Sequence, residues 1–473
     1  MSDIVFGTGG WRAIIGDDFI RENVNRVAQA ISEILIEDNL LDKPVMIGYD
    51  RRFLSEPGAR WLAEVFAANG IDVLMMKRSA PSPLIMHTVQ KLMLHCGIEV
   101  TASHNPPEYD GVKVIVEEGR DASVEVTDRI EKYIARGNEI RKLDFNEAVA
   151  SGKVRFIKNP FNAFIDDILA VLDKEAIKQR GLRVLFDPMH GSGTYPLEVI
   201  LNTCRCTLDI INSDKDAYFD GGYPAPSVDT LRPLADKVIR GGYDFGIAFD
   251  GDGDRLGIID STGRYVSMNE IIVMLYWYLH EKKGWKGPVV RNISTTYILD
   301  RMAKSFGEEC IEVPVGFKWV SAAIDKYNAV LGGESSGGLT VRGHINGKDA
   351  IYAVSLFAEM LAVTDMSVQE ISSLIAENWG RSVFLDYALR FSADDKVRIT
   401  KVLMEDKQVP SFDKSIKKIS YMDGCKVFFD DDSYVICRFS GTEPLLRIMA
   451  EADTKEEAQM LLDVFRTFVE GLL

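Results

Sequence analysis

Three aspartates alternate with glycines in the segment Asp250–Asp254, which follows the apolar run Phe245–Phe249. In an extended chain every second side chain points the same way, so the carboxylates of Asp250, Asp252 and Asp254 are expected on one side. Oxygen ligands suit a hard divalent cation such as Mg²⁺, and glycines let the backbone bend around it. The segment therefore predicts a metal-binding loop, although Asp-Gly repeats also occur in solvent-exposed turns.

A calcium-binding EF-hand begins with a similar pattern of aspartates. It requires glycine at the sixth position of the loop and glutamate at the twelfth. Here those positions hold Arg255 and Ser261, and the strand-like Leu256–Ile259 follows in place of a helix. The EF-hand is therefore excluded.

A second candidate segment is Thr101–Pro106, which contains Ser103 beside a histidine. Pro106 and Pro107 exclude a helix here, so the serine is expected in a rigid, exposed loop. A serine in such a loop could carry a phosphoryl group, which would add a charge of roughly −2. An Asn-Pro turn with an incidental serine explains the same residues.

The segment from Arg438 to Thr442 offers one guanidinium and two hydroxyls, and Arg447 follows. Phosphate groups are bound by bidentate arginines and by free backbone N–H groups. Ser440 and Glu443 also have the spacing of a helix capping box, which is an alternative explanation.

The glycine-rich segment Gly332–Gly338 contains Glu334 and Ser336. A carboxylate can accept hydrogen bonds from two sugar hydroxyls, so this pair fits a polyol, although a flexible glycine linker would look similar. His344 and Lys348 follow on a further predicted loop, where solvated surface residues are the alternative.

These segments are positioned by a repeated order of strand, turn and helix. Predicted strands at 43–50, 181–187 and 286–293 are each followed by a turn and a helix. The order is typical of α/β sheets, in which ligands bind at the carboxyl ends of the strands. We therefore predict three similar α/β domains with mixed or parallel sheets and a smaller C-terminal α+β domain, arranged around a central cleft.

The predicted domain boundaries are 1–150, 151–260, 261–378 and 379–473. In this order the four domains carry the Ser103 loop, the aspartate loop, the Gly332–Gly338 loop and the Arg438 loop. The sequence would thus contribute one loop from each domain to a composite site.

Composition excludes several classes of protein. The chain has 473 residues and a net charge of −16, which argues against general binding of nucleic acid or of acidic membranes. No signal-type segment is present at the N-terminus, and the longest apolar run, Ile271–Leu279, is too short to span a bilayer. The six cysteines are scattered, which is typical of a reduced, cytoplasmic protein.

In combination, order and spacing, the segments resemble the α-D-phosphohexomutase family, which contains the phosphoglucomutases and phosphomannomutases. The resemblance runs from Phe6-Gly7-Thr8 to Arg447. Its most diagnostic parts are Thr101–Pro106, Asp250–Arg255 and Arg438–Pro444.

The resemblance implies a role for each matching residue. Ser103 would be the phosphoserine, and a phosphoserine oxygen would complete the ligands of one Mg²⁺ held by Asp250, Asp252 and Asp254. The other residues that the resemblance places around the reacting phosphoryl group are Arg12, His104, Lys113 (for proton transfer) and Arg255. Those that it places around the sugar and its second phosphate are Lys318, Glu334, Ser336, His344, Lys348, Arg438, Ser440, Gly441, Thr442 and Arg447.

The implied activity is the interconversion of hexose 1-phosphate and hexose 6-phosphate through a hexose 1,6-bisphosphate, with a small-molecule sugar phosphate as the partner. Gly338 and Ser335 stand where other family members have histidine or glutamine, whereas His344, Lys348 and Asp349 resemble the glucose-preferring enzymes. Glucose is therefore the predicted sugar, with phosphomannomutase or phosphoglucosamine mutase activity as the alternative. Closure of the fourth domain is expected to exclude water.

Two other classes remain as alternatives. A metal-dependent sugar-phosphate hydrolase with an aspartate nucleophile would also contain Asp250 and Asp252 beside a metal. It would not need Ser103 or the Arg438 loop. A non-catalytic sugar-phosphate binder would not need the complete set of serine, aspartates and arginines.

Overall fold

The computed structural model describes residues 4–7, 9–440 and 445–473. The described residues form two compact units. The first unit contains the chain up to Ile271 together with Ser336–Gln369, and the second contains Ile272–Ser335 and Glu370–Leu473.

The strands, in chain order, are β1 (Phe6–Gly7), β2 (Gly10–Ile14), β3 (Val45–Tyr49), β4 (Val73–Met75), β5 (Cys96–Val100), β6 (Tyr109–Val116), β7 (Arg120–Asp121), β8 (Val154–Phe156), β9 (Arg183–Asp187), β10 (Thr207–Ile210), β11 (Phe245–Phe249), β12 (Leu256–Asp260), β13 (Tyr265–Val266), β14 (Val289–Asn292), β15 (Cys310–Val313), β16 (Leu331–Glu334), β17 (Gly338–Val341), β18 (Val383–Arg390), β19 (Ile416–Ser420), β20 (Cys425–Phe429), β21 (Tyr434–Phe439) and β22 (Leu445–Ala452).

The helices are α1 (Arg21–Glu37), α2 (Ser55–Ala68), α3 (Ser82–Lys91), α4 (Val124–Ala135), α5 (Phe145–Ala150), α6 (Pro160–Val171), α7 (Lys174–Arg180), α8 (Thr194–Thr203), α9 (Arg232–Gly241), α10 (Met268–Glu281), α11 (Ile298–Phe306), α12 (Phe317–Tyr327), α13 (Ala350–Thr364), α14 (Val368–Trp379), α15 (Ala393–Thr400) and α16 (Lys455–Glu470).

The first sheet of the first unit has the strand order β1-β2-β6-β5-β3-β4-β8. The four strands β5, β3, β4 and β8 are parallel to one another. Strand β6 is antiparallel to both β5 and β2. Every residue of β3 and β5 is buried, as is usual for strands covered by helices on both faces. The carboxyl end of β5 leads directly into the Ser103 loop.

The second sheet of the first unit has the strand order β10-β9-β11-β12-β13. The apolar run Phe245–Phe249 forms the buried strand β11, which is parallel to β9 and antiparallel to β12. Helix α13 packs in the core of this unit, where the ring centroids of Phe357 and Phe245 are 5.7 Å apart. The aspartate loop connects β11 to β12.

The second unit contains the parallel strands β15-β14-β16 and the antiparallel sheet β18-β22-β21-β20-β19. Helix α16 begins after Thr454, whose side chain accepts a hydrogen bond from the backbone N–H of Glu457. Its apolar face, with Leu461 and Phe465, packs on the antiparallel sheet. The predicted fold class, α/β sheets followed by a smaller α+β part, is confirmed, while the four boundaries stay predictions.

Among the described residues, no single helix is long and apolar enough to cross a membrane. Helices α13 and α14 meet the criteria of length and composition only when they are taken together as a bent pair.

Candidate functional site

Ser103 lies three residues beyond the end of β5, in a turn rather than a helix. Its backbone φ is +51°, in the left-handed region that non-glycine residues rarely adopt. This conformation costs roughly 1–2 kcal/mol, so neighbouring groups must hold it. The expectation of an exposed serine is wrong, because Ser103 is only 3% exposed.

Both the backbone N–H and the carbonyl oxygen of Ser103 are hydrogen-bonded to neighbouring side chains. Its backbone N–H donates to Thr101 Oγ1 at 2.8 Å, and its carbonyl oxygen accepts from Arg52 Nη2 at 2.6 Å. The same carbonyl oxygen lies against Gly251, where a Cβ atom would come within 2.7 Å of it. The Ser103 loop and the aspartate loop can therefore approach closely only because residue 251 is a glycine.

The three aspartates come together as predicted, but a different backbone geometry brings them there. Carboxylate oxygens of Asp250, Asp252 and Asp254 lie within 4.8 Å of one another, and all three side chains are buried. The segment is a turn, with Gly253 at a φ of +67°, as expected for a loop in which the glycines bend the backbone, and the alternation of an extended chain is not what brings the carboxylates together. A turn lets the carboxylates converge on one point, whereas a strand would space them along a line.

Ser103 and the aspartate triplet are in direct contact. The Ser103 hydroxyl donates to Asp250 Oδ2 at 2.9 Å. Within the described part of the chain, Asp252 Oδ1 and Asp254 Oδ1 are buried and have no hydrogen-bond partner. Buried acceptors without donors fit a cation, and this set of oxygen ligands suits Mg²⁺.

The carboxylates differ in their electrostatic environment. Burial, together with Asp252 and Asp254, raises the pKa of Asp250 well above its usual range. Burial also acts to raise the pKa of Asp254, but the ammonium groups of Lys348 and Lys113 outweigh it and lower this pKa below its usual range. The neighbouring carboxylates therefore disfavour a negative charge on Asp250, whereas the two lysines stabilise the negative charge of Asp254.

Two lysines from distant parts of the chain contact the same carboxylate oxygen. Lys113 Nζ on β6 and Lys348 Nζ each lie 3.0 Å from Asp254 Oδ2. Burial opposes protonation of Lys113, but Asp121 and Asp254 raise its pKa, so it stays protonated. Lys348, which was predicted to bind the sugar, lies at the aspartate triplet in this structure.

Two arginines and a histidine complete this group. Arg255 Nη1 donates to the carbonyl oxygen of Ser336 at 3.2 Å. Burial and the charge of Arg255 lower the pKa of Arg12, which lies on β2. His104 Nδ1 lies 3.3 Å from Ser103 Oγ, and Arg255, burial and Arg12 lower its pKa. His104 is therefore a neutral imidazole beside the hydroxyl.

His344 occupies a packed position next to helix α13. Its Nε2 atom lies 2.6 Å from Asp349 Oδ2, and its ring centroid is 4.3 Å from that of Tyr352. Asp349 Oδ1 in turn accepts from the first backbone N–H groups of the helix. His344 is thus fixed by the cap of α13.

In the second unit, Glu334 lies at the carboxyl end of β16 and is buried. Its Oε1 atom accepts from Asn292 Nδ2 at 2.9 Å and from the backbone N–H of Gly316 at 2.8 Å. Lys318 follows this contact in the first turn of α12, where its Nζ lies 5.7 Å from the Trp319 ring. Glu334 and Lys318 therefore belong to neighbouring segments of the second unit.

The predicted phosphate-binding segment joins β21 to β22. Arg438 and Arg447 pair directly across these antiparallel strands, and each contacts a carboxylate. Arg438 Nη2 lies 3.3 Å from Asp423, and Arg447 Nη1 donates to Asp386 at 2.9 Å. Like charges opposite each other are unfavourable in a sheet, so an anion between them would be stabilising.

Asp423 also links this segment to the one that carries Lys318, because its Oδ2 atom accepts from the backbone N–H of Val315 at 3.0 Å. The backbone N–H of Ser440 donates to the carbonyl oxygen of Leu445 at 2.7 Å. The predictions for Gly441 and Thr442 lie outside the described residues.

The structure thus brings together, in the first unit, the predicted residues Arg12, Ser103, His104, Lys113, Asp250, Asp252, Asp254, Arg255 and Lys348. Arg52 and Asp423 also contact this site's segments, and neither was predicted from the sequence. A signal for Arg52 exists, since Asp50-Arg51-Arg52 directly follows the buried strand β3. Nothing in the local sequence distinguishes Asp423 from the many other acidic residues.

Family models match the chain in four consecutive segments. These models describe phosphoglucomutase/phosphomannomutase alpha/beta/alpha domain I over residues 3–141, domain II over 162–263, domain III over 267–378 and the C-terminal domain over 395–467. The matches occur in the order I to IV along the chain.

Individual relatives match over nearly their whole length. A phosphoglucomutase/phosphomannomutase from Thermococcus kodakarensis is 29% identical over 469 residues, which are 99% of each chain. A phosphoglucosamine/phosphogalactosamine mutase from Sulfurisphaera tokodaii is 26% identical over 475 residues, again 99% of each. The crystal structure of a candidate phosphomannomutase from Thermus thermophilus is 28% identical, with a TM-score of 0.86 and coverage of 99% and 100%.

Proposed function

The chain belongs to the phosphoglucomutase/phosphomannomutase family, and we propose that it interconverts a hexose 1-phosphate and a hexose 6-phosphate through a phosphoserine at Ser103. The observation that carries the proposal is the 2.9 Å contact between Ser103 Oγ and Asp250 within the buried carboxylate triplet. A hexose 1,6-bisphosphate would be the intermediate, formed when the phosphoryl group of Ser103 moves to the free hydroxyl of the substrate.

Asp250, Asp252 and Asp254 would hold one Mg²⁺, together with an oxygen of the phosphoserine. When bound, this ion would neutralise charge on the transferring phosphoryl group. The two buried acceptor oxygens without hydrogen-bond partners support this assignment.

The protein's own cations would stabilise the same group. Phosphoryl transfer depends on in-line positioning and on neutralising charge at the equatorial oxygens. Arg12 and Arg255 would face the phosphoryl group, and protonated Lys113 adds a fixed positive charge at Asp254. Neutral His104, 3.3 Å from Ser103 Oγ, is suited to exchange a proton with the hydroxyl. Proton transfer through Lys113 stays a prediction.

The residues Glu334, Arg438 and Arg447 are proposed to bind the sugar and its second phosphate. Glu334 has one carboxylate oxygen bound to protein donors, which leaves the other as an acceptor for sugar hydroxyls. Arg438 and Arg447, opposite each other on β21 and β22, are suited to bind the non-reacting phosphate. We propose that Ser336, Ser440 and the other residues predicted for the sugar and its second phosphate bind these parts of the substrate.

We propose glucose as the preferred sugar, on the pattern of His344, Lys348 and Asp349. The relative from Sulfurisphaera tokodaii carries a name for amino-sugar mutases, so glucosamine phosphate is the main competitor. Parallel rate measurements on the 1-phosphates of glucose, mannose and glucosamine, with Mg²⁺ and a trace of the bisphosphate, test this choice. A higher kcat/KM for glucosamine 1-phosphate would overturn it.

The central experiment is Ser103→Ala, with Ser151→Ala at the exposed end of α5 as the matched control. Ser103→Ala is expected to lose nearly all turnover and to retain binding of hexose phosphate, because only the nucleophile is removed. Wild-type protein treated with glucose 1,6-bisphosphate should carry an acid-stable phosphate on Ser103, detected by mass spectrometry.

Two results would contradict the proposal. Full turnover by Ser103→Ala would exclude the serine as nucleophile. Release of inorganic phosphate in place of isomerisation, with a hydroxylamine-sensitive acyl phosphate on an aspartate, would favour the hydrolase.

A further inference from the structure

Arg52 contacts the Ser103 loop at four carbonyl oxygens. Its Nη2 atom donates to Ser103 and Asn105, both at 2.6 Å, and its Nη1 atom donates to Pro106 at 2.7 Å and Tyr109 at 2.9 Å. The Arg52 side chain has no exposed surface. One guanidinium thus binds the carbonyl groups along the whole turn from β5 to β6.

The other side of this contact is anchored to the first sheet. Arg52 Nε lies 3.3 Å from Asp50 Oδ2, and the Arg52 backbone N–H donates to Asp50 Oδ1 at 2.9 Å. The same carboxylate accepts from Thr101 Oγ1 at 2.7 Å. Thr101 Oγ1 in turn accepts from the backbone N–H of Ser103. Asp50 therefore organises the partners of both peptide groups of Ser103. The ring of Phe219 covers the guanidinium at 5.0 Å.

This arrangement explains how Ser103 keeps a φ of +51°. A serine freed from its two peptide contacts would relax toward negative φ, which turns its side chain in another direction. The hydroxyl would then leave Asp250, which it now meets at 2.9 Å. Arg52 itself contacts carbonyl groups and not the hydroxyl, so it acts through the backbone.

We propose that Arg52 is a positioning residue that holds the carbonyl group of Ser103 and thereby keeps the Ser103 hydroxyl aimed at the aspartate triplet for phosphoryl transfer. This inference rests on the proposed function, in which Ser103 carries the phosphoryl group. It assigns to Arg52 an effect on the transfer step and none on the binding of substrate.

The most informative variant is Arg52→Lys. Lysine keeps a positive charge near Asp50, but a single ammonium cannot reproduce a planar fork that reaches four carbonyl oxygens. Misplacement of a reacting group by about 1 Å can lower the rate about 100-fold, so kcat should fall on this order. KM should stay within about threefold, because the predicted substrate-binding residues are unchanged. Arg60→Lys, on the exposed face of α2, is the matched control.

A second variant, Arg52→Ala, tests whether the planar geometry of the guanidinium group matters or only its positive charge. Added guanidinium chloride should restore part of the lost kcat, whereas ammonium chloride at equal ionic strength should not. Equal recovery with both salts would overturn the proposal, since it would make charge alone sufficient.

The Arg52→Lys results also separate this inference from the proposed function. A kcat within about threefold of wild type, a loss confined to KM, or loss of cooperative thermal unfolding would each overturn the positioning role. The last result would show that Arg52 supports the first unit as a whole. If wild-type protein lacks mutase turnover altogether, the proposed function itself is wrong.

Discussion

Replacing Asp250 by asparagine is expected to stabilise the metal-free protein and to remove its response to Mg²⁺. Asparagine keeps Oδ1, which accepts from the backbone N–H groups of Asp254 and Arg255. It places an amide next to the Ser103 hydroxyl, which can accept as well as donate. The substitution therefore removes one charge from the triplet and preserves its hydrogen bonds.

The magnitude follows from the crowding of the carboxylates. Charges on carboxylate oxygens that lie within 4.8 Å of one another, as in the triplet, repel by ~3.5 kcal/mol or more at an effective dielectric constant of about 20. The raised pKa of Asp250 and the nearby lysines remove part of this repulsion. A net gain of ~1–2 kcal/mol in the free energy of unfolding is expected for Asp250→Asn without metal. In Mg²⁺ at about 100 times its Kd, wild type should gain ~2.7 kcal/mol and the variant much less.

The assay is urea unfolding of wild type and variant, in EDTA and in Mg²⁺. Hydrogen–deuterium exchange of peptides that cover β11 and β12 assigns the transition to the sheet that carries the loop. Asp236→Asn, the same substitution at an exposed position of α9, is the control for the loss of one negative charge. The expected result is a reversal of rank: the variant is more stable in EDTA, and wild type is more stable in Mg²⁺.

Two outcomes would refute this reasoning. A variant less stable than wild type in EDTA would mean that the carboxylates do not repel one another in the folded protein. Equal stabilisation of both proteins by Mg²⁺ would mean that the ion does not bind at Asp250.

Two further predictions concern the second unit. Burial and the charge of Arg291 lower the pKa of Lys426 to about 8, below its ordinary value of 10.5. The stability linked to the lowered pKa of Lys426 is therefore fully present above pH 10.5 and is lost as the pH falls to about 8. As the pH is raised from about 8 to 10.5, the free energy of unfolding of wild type relative to Lys426→Met should increase by ~3 kcal/mol. Urea titrations of both proteins at several pH values measure the difference, and a constant difference would contradict the prediction. Asp423→Ala removes the shared partner of Arg438 and the Val315 N–H, so KM for glucose 1-phosphate should rise about 10-fold with kcat changed less than about threefold; a loss confined to kcat would argue against a role in phosphate binding.

Much of the candidate site could be predicted because its residues stand at strand ends. Ser103 follows β5, the aspartates follow β11 and Glu334 ends β16, as expected for α/β sheets. The apolar runs that form these strands are evident in the sequence. Local pattern therefore indicated the segments, whereas the roles of their residues, and Arg12, Lys113 and Lys318 altogether, came from the family resemblance.

The meeting of the Ser103 loop with the aspartate loop was expected from the family resemblance, whereas the contacts of the two lysines with Asp254 were not. Lys113 and Lys348 meet at Asp254 from distant parts of the chain, and spacing along the chain carries no information about such contacts. The burial of Ser103 also escaped prediction, because it depends on Arg52 drawing the carbonyl groups of the loop inward. The aspartate segment was predicted as a loop, but the alternating pattern alone did not show that a turn at Gly253 would bring the carboxylates together.

The pairing of β2 with β6 has a consequence for how this protein can vary. Arg12 lies opposite Gly111, so Lys113, two residues further along β6, shares its face of the sheet. A slip of β2 by one residue would turn Arg12 to the reverse face and leave Lys113 on the original one. Insertions and deletions between homologues should therefore be missing from β2 and β6, because either would change the register that places Arg12 and Lys113 on one face.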